Sequence, residues 1–342
     1  MDKRIKFSVI GIQHGHIYGM CHELISSGAV LVSAYDKDEK ARAEFAKKYP
    51  DIKIAQSENE ILEDESISLV TGAAVTCERA DIGIRVMKSG KDYFVDKGPF
   101  TTLSQLDDVK KVIDETGRKY MVCYSERLQS ESSELAGKFI REGRIGNVLQ
   151  YIGMGPHRLS APTRPEWFFD KKQYGGIITD ICSHQFEQFL FFTGEKDAKV
   201  NFARACNFAH PERPGFEDFG EVSLTGKNGT SGYMKVDWFT PDGLASWGDC
   251  RCFIIGTDGY IELRKNIDIT GSKQGGEHLF ITTNGQGTEY VDAKGKMGHP
   301  FFKAFLDDCV NRTENAMTQE HCLKAAELTL LAQQMADKNN NI

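Results

Sequence analysis

No apolar stretch in this 342-residue chain is long enough to span a bilayer, and no charged-then-apolar leader precedes the first strand-like segment. A membrane protein is therefore not expected, and a cytoplasmic one is. Positive charge is also in short supply. Lysine and arginine number 42 against 49 acids, a net charge of −7, so no overall field draws nucleic acid or anionic lipid. Internal repeats and low-complexity segments are missing, apart from the tail Lys338-Asn339-Asn340-Asn341, which is expected to fray. Paired metal-ligand motifs are missing too. The nine cysteines are an odd number and lie scattered, most in apolar runs as at Cys123, Cys182 and Cys322. That is cysteine used as a small core residue in a reduced protein. Cys250 and Cys252 form the only close pair. No second Cys/His pair stands at zinc-finger spacing, so no metal site is expected.

What is present is ordinary globular material, 40% hydrophobic and 27% charged, at a length that suits two domains. Strand-like runs at 5–10, 30–35, 52–54, 67–71 and 92–95 alternate with helix-like runs at 17–27, 37–49 and 77–89. Ser57 and Glu60 read as a capping box for a short helix between them. Such alternation means a parallel sheet covered on both faces. A further strand at 120–124 completes this half, and the boundary is placed so that one domain spans 1–123 and the other 124–342.

The turn after the first strand, Gly11-Ile12-Gln13-His14-Gly15-His16, stands where a doubly wound sheet binds a dinucleotide. Gly11 fills the first position of G-x-G-x-x-G; Gln13 and His16 fill the other two. Asp36, at the end of the second strand, suits an adenosine ribose diol and favours NAD over NADP, because a carboxylate repels a 2′-phosphate; it could also cap the next helix. His14 and His16 are candidates to line the nicotinamide side. After the fifth strand comes Asp96-Lys97-Gly98-Pro99. A lysine there can polarise a hydroxyl or carbonyl beside the cofactor.

The second half changes character. Strand-like runs at 148–154, 200–206, 220–224, 232–238, 252–255 and 260–263 are punctuated by Asn228-Gly229, Asp258-Gly259 and Asn284-Gly285 turns, which is antiparallel behaviour. A long irregular stretch, 155–174, carries His157, Arg158, Arg164, Trp167 and Phe168. It leads through Gly175-Gly176 into a helix-like run with Asp180 and His184 four residues apart, which places both side chains on one helix face. An imidazole beside a carboxylate can move protons near neutral pH. His299 precedes a helix start at Pro300 and could face the pocket or merely cap. An open sheet needs its free face covered, so a homodimer or homotetramer is expected.

Taken together these landmarks resemble the Gfo/Idh/MocA family, the glucose–fructose oxidoreductase and inositol dehydrogenase group. The matches run almost end to end: Gly11, Tyr35-Asp36, Ser89-Gly90-Lys91-Asp92, Asp96-Lys97-Gly98-Pro99 for the family's E-K-P, Arg127-Leu128 for its R-F, Gly143-Arg144-Ile145-Gly146 for its G-x-I-G, and Gly175-Gly176 with Asp180 and His184 for G-G-x-x-x-D-x-x-x-H. The chain departs from the pattern at Gln13, His16, Asp96 and Gly98, and Ala74-Val75-Thr76-Cys77-Glu78-Arg79 replaces T-P-N-x-x-H. The resemblance implies an α/β protein, with an N-terminal Rossmann domain and a C-terminal α/β domain holding a large, mostly antiparallel open sheet. It implies catalytic roles for Lys97, Asp180 and His184. Cofactor contacts are expected from Gly11, Gln13, His14, His16, Asp36 and Lys97, and substrate contacts from Lys97, Arg127, His157, Trp167, Asp180 and His184. The expected activity is hydride transfer between a nicotinamide cofactor, NAD ahead of the NADP that Lys37 keeps open, and a secondary hydroxyl of a sugar, cyclitol or sugar derivative. Two rivals stand beside it: glycoside cleavage through tightly held NAD by transient oxidation and elimination, and a non-catalytic nucleotide or ligand sensor.

Overall fold

The computed structural model describes residues 4–339, so Asn340 and Asn341 of the expected frayed tail lie outside the described residues. The chain forms two compact units, one of Met1–Cys123 with Pro300–Leu323, the other of Tyr124–His299 with Lys324–Ile342.

The first unit is built on strands β1 (Lys6–Ile10), β2 (Val30–Tyr35), β3 (Lys53–Ile54), β4 (Leu69–Gly72), β5 (Asp92–Asp96) and β6 (Tyr120–Cys123). They pair in parallel in the order β3-β2-β1-β4-β5-β6. Every residue of β4, β5 and β6 is buried, as strands covered on both faces require. Strand order reverses between β1 and β4, and that crevice is where doubly wound sheets bind ligands. Helix starts follow local chemistry. Asp38 accepts the N–H groups of Lys40 and Ala41, so the second helix begins at Glu39, two residues later than apolar periodicity suggests. Asp38 thereby takes the capping role that was open for Asp36. The Ser57 hydroxyl accepts from Glu60 N–H, and the Glu60 carboxylate reaches back to the N–H groups of Gln56 and Ser57, so the capping box forms and extends by one residue. The helix Pro300–Asn311 belongs to this unit by packing. Phe301, Phe302 and Phe305 set their rings against Phe94 of β5 at 5.0–6.1 Å between centroids.

The second unit carries β7 (Val148–Pro156), β8 (Ala198–Cys206), β9 (Phe219–Gly226), β10 (Ser231–Asp237), β11 (Arg251–Gly256), β12 (Gly259–Ile267), β13 (Gln274–Thr283) and β14 (Gly287–Asp292). The order is β14-β13-β12-β11-β7-β10-β9-β8, antiparallel except for β7 with β10. The last two strands escaped sequence reading, because β14 alternates weakly and is exposed along nearly its whole length. The helix Ser183–Thr193 is buried against the inner face of this sheet. Tyr151 of β7 stacks on its Phe192 and donates to Gln185 at 2.7 Å. A Cβ at Gly153 would lie 2.3 Å from the Gln185 side chain, so the close approach of helix and strand requires glycine there. Among the described residues, no helix is long and apolar enough to cross a membrane.

Candidate active site

In the first unit the turn after β1 and the end of β2 are tied together. Gly11 sits at φ +91°, and a Cβ there would fall 2.5 Å from Ala74; only glycine lets the turn lie this close to the end of β4. Asp36 is buried and accepts three hydrogen bonds, from Ile12 N at 2.5 Å, Gln13 Nε2 at 2.8 Å and Asp38 N at 2.8 Å. Gln13 therefore does what a loop glycine would not: its amide ties the turn to the acid. A cavity of about 330 Å³ opens here, lined among others by Gly11, Gln13, Tyr35, Asp36, Lys37 and Ala74. The helix His16–Ser26 starts beside it with no side chain capping its N-terminus. Its first N–H groups turn back on the loop, His16 N to His14 Nδ1 at 3.3 Å, Ile17 N to the His14 carbonyl at 3.2 Å and Tyr18 N to the Gly15 carbonyl at 3.3 Å, and the helix end offers an anion its partial positive charge.

Asp96, at the carboxyl end of β5, is the hub of this unit's polar chemistry. It is fully buried and contacts Arg79 Nη2 at 3.2 Å, His14 Nδ1 at 3.3 Å and His16 Nδ1 at 2.9 Å, while accepting Lys97 N–H at 2.8 Å. Burial by itself would raise its carboxyl pKa. The charges of His16 and Arg79 and the His16 bond outweigh that and hold it well below the usual range. Arg79 in turn donates to the carbonyls of Ala74, Lys97 and Gly98. Burial, then the His16 charge, push the His14 imidazole well below its ordinary 6.5, against the pull of Asp96. His14 is consequently neutral at pH 7. Lys97 is itself buried, its backbone clamped between Asp96 and Arg79.

In the second unit Asp180 and His184 are buried at the start of the long apolar helix. The expected α-helical spacing is modified. Ile178–Cys182 form a wider π-helical turn before regular helix begins at Ser183, so Asp180 stands on the wide turn and His184 on the first regular one. The turn is held from outside. Gln333 Oε1 accepts from Ile178 N and Thr179 N, and Glu217 accepts from Ile177 N at 2.9 Å. Gly176, at φ +96°, would place a Cβ 2.4 Å from Gln333, which accounts for the second glycine of the Gly175-Gly176 pair.

Arg127 does not stand free to meet a substrate. Its guanidinium is 4% exposed and donates to both Glu187 oxygens at 2.7 and 2.9 Å and to Glu134 at 2.9 Å, over the Phe191 ring at 3.9 Å. Through these bonds Arg127 locks the short helix Ser125–Leu128 to the helix that carries His184. Its neighbour Glu126, which sequence reading passed over, reaches Gln185 Nε2 at 2.8 Å and His157 Nε2 at 3.9 Å. His157 packs on Trp247 and Trp238, with ring centroids 4.5 and 5.6 Å away. Arg164 lies over Phe168 and Trp238. Burial pushes its guanidinium down and the Asp180 carboxylate opposes this. Trp167 Nε1, Thr179 Oγ1 and Trp238 Nε1 are buried donors that find no partner among the described residues. His157, Trp167 and Asp180 thus share one unit with His184. The expected cofactor residues Gly11, Gln13, His14, His16 and Asp36 share the other with Lys97.

Comparison with known proteins agrees with both halves. Residues 5–124 match the family model for an oxidoreductase family with an NAD-binding Rossmann fold, and residues 134–262 match the GFO/IDH/MocA C-terminal domain. A protein of known crystal structure from Erwinia carotovora atroseptica SCRI1043, provisionally assigned to the oxidoreductases, is 46% identical, with a TM-score of 0.94 over 97% of this chain and 99% of that one. The scyllo-inositol 2-dehydrogenase (NAD(+)) of Bacillus subtilis (strain 168) is 25% identical over 265 residues, 76% of this chain and 74% of that protein. A levoglucosan dehydrogenase, solved with NADH and levoglucosan, shares the fold at 17% identity and a TM-score of 0.82 over 98% of both chains.

Proposed function

The chain belongs to the Gfo/Idh/MocA oxidoreductase family, and on that premise we propose that it is an NAD-dependent dehydrogenase acting on a secondary hydroxyl of a sugar, cyclitol or sugar derivative. The observation that carries the reading is the Asp36 cradle. A buried carboxylate anchored to the first turn keeps acceptor capacity on Oδ2, beside a cavity and the positive end of a helix. Those residues fit the ribose diol and the pyrophosphate of NAD, and the carboxylate disfavours a 2′-phosphate. NAD, when bound, supplies the hydride acceptor.

The chain's own residues do the rest. His184 takes the hydroxyl proton, and Asp180 holds a substrate hydroxyl or orients His184. Lys97 stabilises the developing oxyanion. The bonds from Asp96 and Arg79 fix its backbone, and neutral His14 beside it adds no competing charge. The partnerless donors of Trp167, Thr179 and Trp238 favour a hydroxyl-rich substrate, since each buried donor gains a bond when an acceptor arrives. The named activity of the B. subtilis relative points to the same class. The test is NADH formation across a panel of polyols and free sugars, with Lys97→Ala and His184→Ala beside the parent.

We also propose a homo-oligomer formed through the open face of the eight-stranded sheet. One register row across it reads Tyr290, Phe280, Glu262, Phe253, Ile152, Tyr233, Ser223 and Phe202. Tyr290, Tyr233 and Phe202 are exposed at 47, 38 and 43%. An apolar row of that length on a surface is the signature of a covered face.

A further inference from the structure

The end of β7 and the start of β11 meet because the two strands are antiparallel neighbours, with Arg251 opposite Met154. His157 follows β7 and Cys250 precedes β11, so residues 93 positions apart in sequence come to one corner of the sheet. Glu126 reaches the same corner from the short helix after β6. One ligand atom from each of Glu126, His157 and Cys250 lies within 4.8 Å of the other two. Glu126 and Cys250 are buried, and His157 is nearly so.

The surroundings orient all three toward a common point. The His157 Nδ1 lies 3.1 Å from the Gly155 carbonyl. A carbonyl only accepts, so Nδ1 carries a proton, and in the neutral ring Nε2 is the nitrogen that can ligate. Nε2 lies 3.9 Å from Glu126 Oε1, on the side of the ring turned to the carboxylate. The other carboxylate oxygen, Oε2, is fixed by Gln185 Nε2 at 2.8 Å. Lys265 N–H donates to the Cys250 carbonyl at 2.9 Å and holds that backbone. The nearby Lys265 ammonium is turned to the Glu126 carbonyl oxygen and Gln188 Oε1, both at 2.9 Å. An imidazole whose far nitrogen donates to a backbone carbonyl, and a carboxylate whose far oxygen is hydrogen-bonded, are what metal ligands have around them.

We infer that Glu126, His157 and Cys250 bind a single divalent transition-metal ion, zinc being the ion their donor set suits. One sulfur, one nitrogen and one oxygen are zinc's preferred donors, and three protein ligands leave the fourth tetrahedral position open. Tetrahedral bonds of ordinary length put nitrogen and oxygen about 3.3 Å apart and either of them about 3.5 Å from sulfur. Side-chain movements on the order of 1 Å complete the site. On binding, Cys250 loses its S–H proton to solvent. The open position takes an oxygen ligand, and Trp238 and Trp247 against His157 make an apolar wall on one side. That this oxygen belongs to a substrate hydroxyl or carbonyl rests on the dehydrogenase reading. The metal site itself does not.

The experiment uses the full chain, loaded with Zn²⁺ and then exhaustively dialysed for metal analysis, and in parallel stripped and titrated with Co²⁺. About one zinc ion per chain is expected to remain, with a sulfur-to-cobalt charge-transfer band in the cobalt form. Cys250→Ser should abolish the band, and His157→Gln should lower retained zinc by more than about tenfold. Cys252→Ser, a neighbouring cysteine outside the triad, should change neither, which separates ligation from general damage to β11. His16→Ala should also leave metal content unchanged, which excludes the group His14, His16 and Asp96 in the first unit. The inference is overturned if the dialysed chain holds no zinc, if the cobalt form shows no sulfur band, or if Cys250→Ser and His157→Gln retain metal like the parent. None of these readouts depends on turnover, so a failure of the dehydrogenase assignment leaves this test intact.

Discussion

Asp36 Oδ2 accepts the backbone N–H of Ile12 at 2.5 Å, so the acid at the end of β2 and the turn after β1 form one piece. Replacing the carboxylate therefore does two things at once. Asp36→Asn should raise KM for NAD by about 10- to 100-fold, the worth of hydrogen bonds to a charged group, and narrow the preference over NADP. Steady-state kinetics with each cofactor reads this out; an unchanged KM for NAD would place the adenosine ribose elsewhere.

Arg127 gives a sharper distinction, because a structural lock and a substrate ligand fail differently. Arg127→Ala takes the guanidinium away from the buried Glu187 and should cost on the order of 3–5 kcal/mol of stability. Removing both charges with Arg127→Met and Glu187→Met should recover most of it. Chemical denaturation measures both. Substrate KM per folded molecule should stay near the parent value in the double variant, and a large rise would return Arg127 to the substrate site.

Acid should unfold the first unit in two stages of the same sign. His14 has its pKa depressed in the fold, so its contribution is complete above about 6.5 and is lost as pH falls below that value, since the unfolded chain then takes up the proton more readily. Asp96 is also depressed, so its contribution holds above its ordinary 3.8 and disappears as pH drops further. Melting temperature against pH should thus decline from near neutrality and again below about 4. His14→Gln should flatten the first decline only. A melting temperature that rises on acidification from pH 7 to 5 would contradict the account.

The open sheet face predicts its own test. Tyr233→Glu with Phe280→Glu puts charge into the middle of the apolar row and should reduce the assembly to monomers by light scattering, with the fold intact by circular dichroism. An assembly of unchanged mass would move the interface to another surface.

Much of this was legible in the sequence because its signals are local. Strand–helix alternation in residues 5–123 is a matter of period, and Gly11, Asp36, Lys97, Asp180 and His184 are read from their order and spacing against those elements. The rest depends on contacts that only folding makes. Phe301, Phe302 and Phe305 close the core around Phe94 in β5 of the first unit, although they lie some 200 residues away in sequence. The same holds for Glu126, His157 and Cys250, which share no motif spacing and meet only because β7 and β11 are neighbours. The bond from Arg127 to Glu187 was not legible, since Glu187 sits 60 residues on, in the middle of an apparently apolar helix. The π-helical turn at Asp180 is imposed by Gln333 and Glu217, both remote in sequence.

The central claim is that His184 serves as the base for NAD-dependent oxidation of a secondary hydroxyl. The most direct measurement follows absorbance of NADH with the purified chain, NAD and a panel of cyclitols and free sugars, in parent and His184→Ala side by side. The account predicts NADH formation by the parent on at least one member of the panel. It also predicts a fall in kcat of about 10²- to 10⁴-fold in the variant, with NAD binding retained. Turnover in His184→Ala equal to the parent would contradict it.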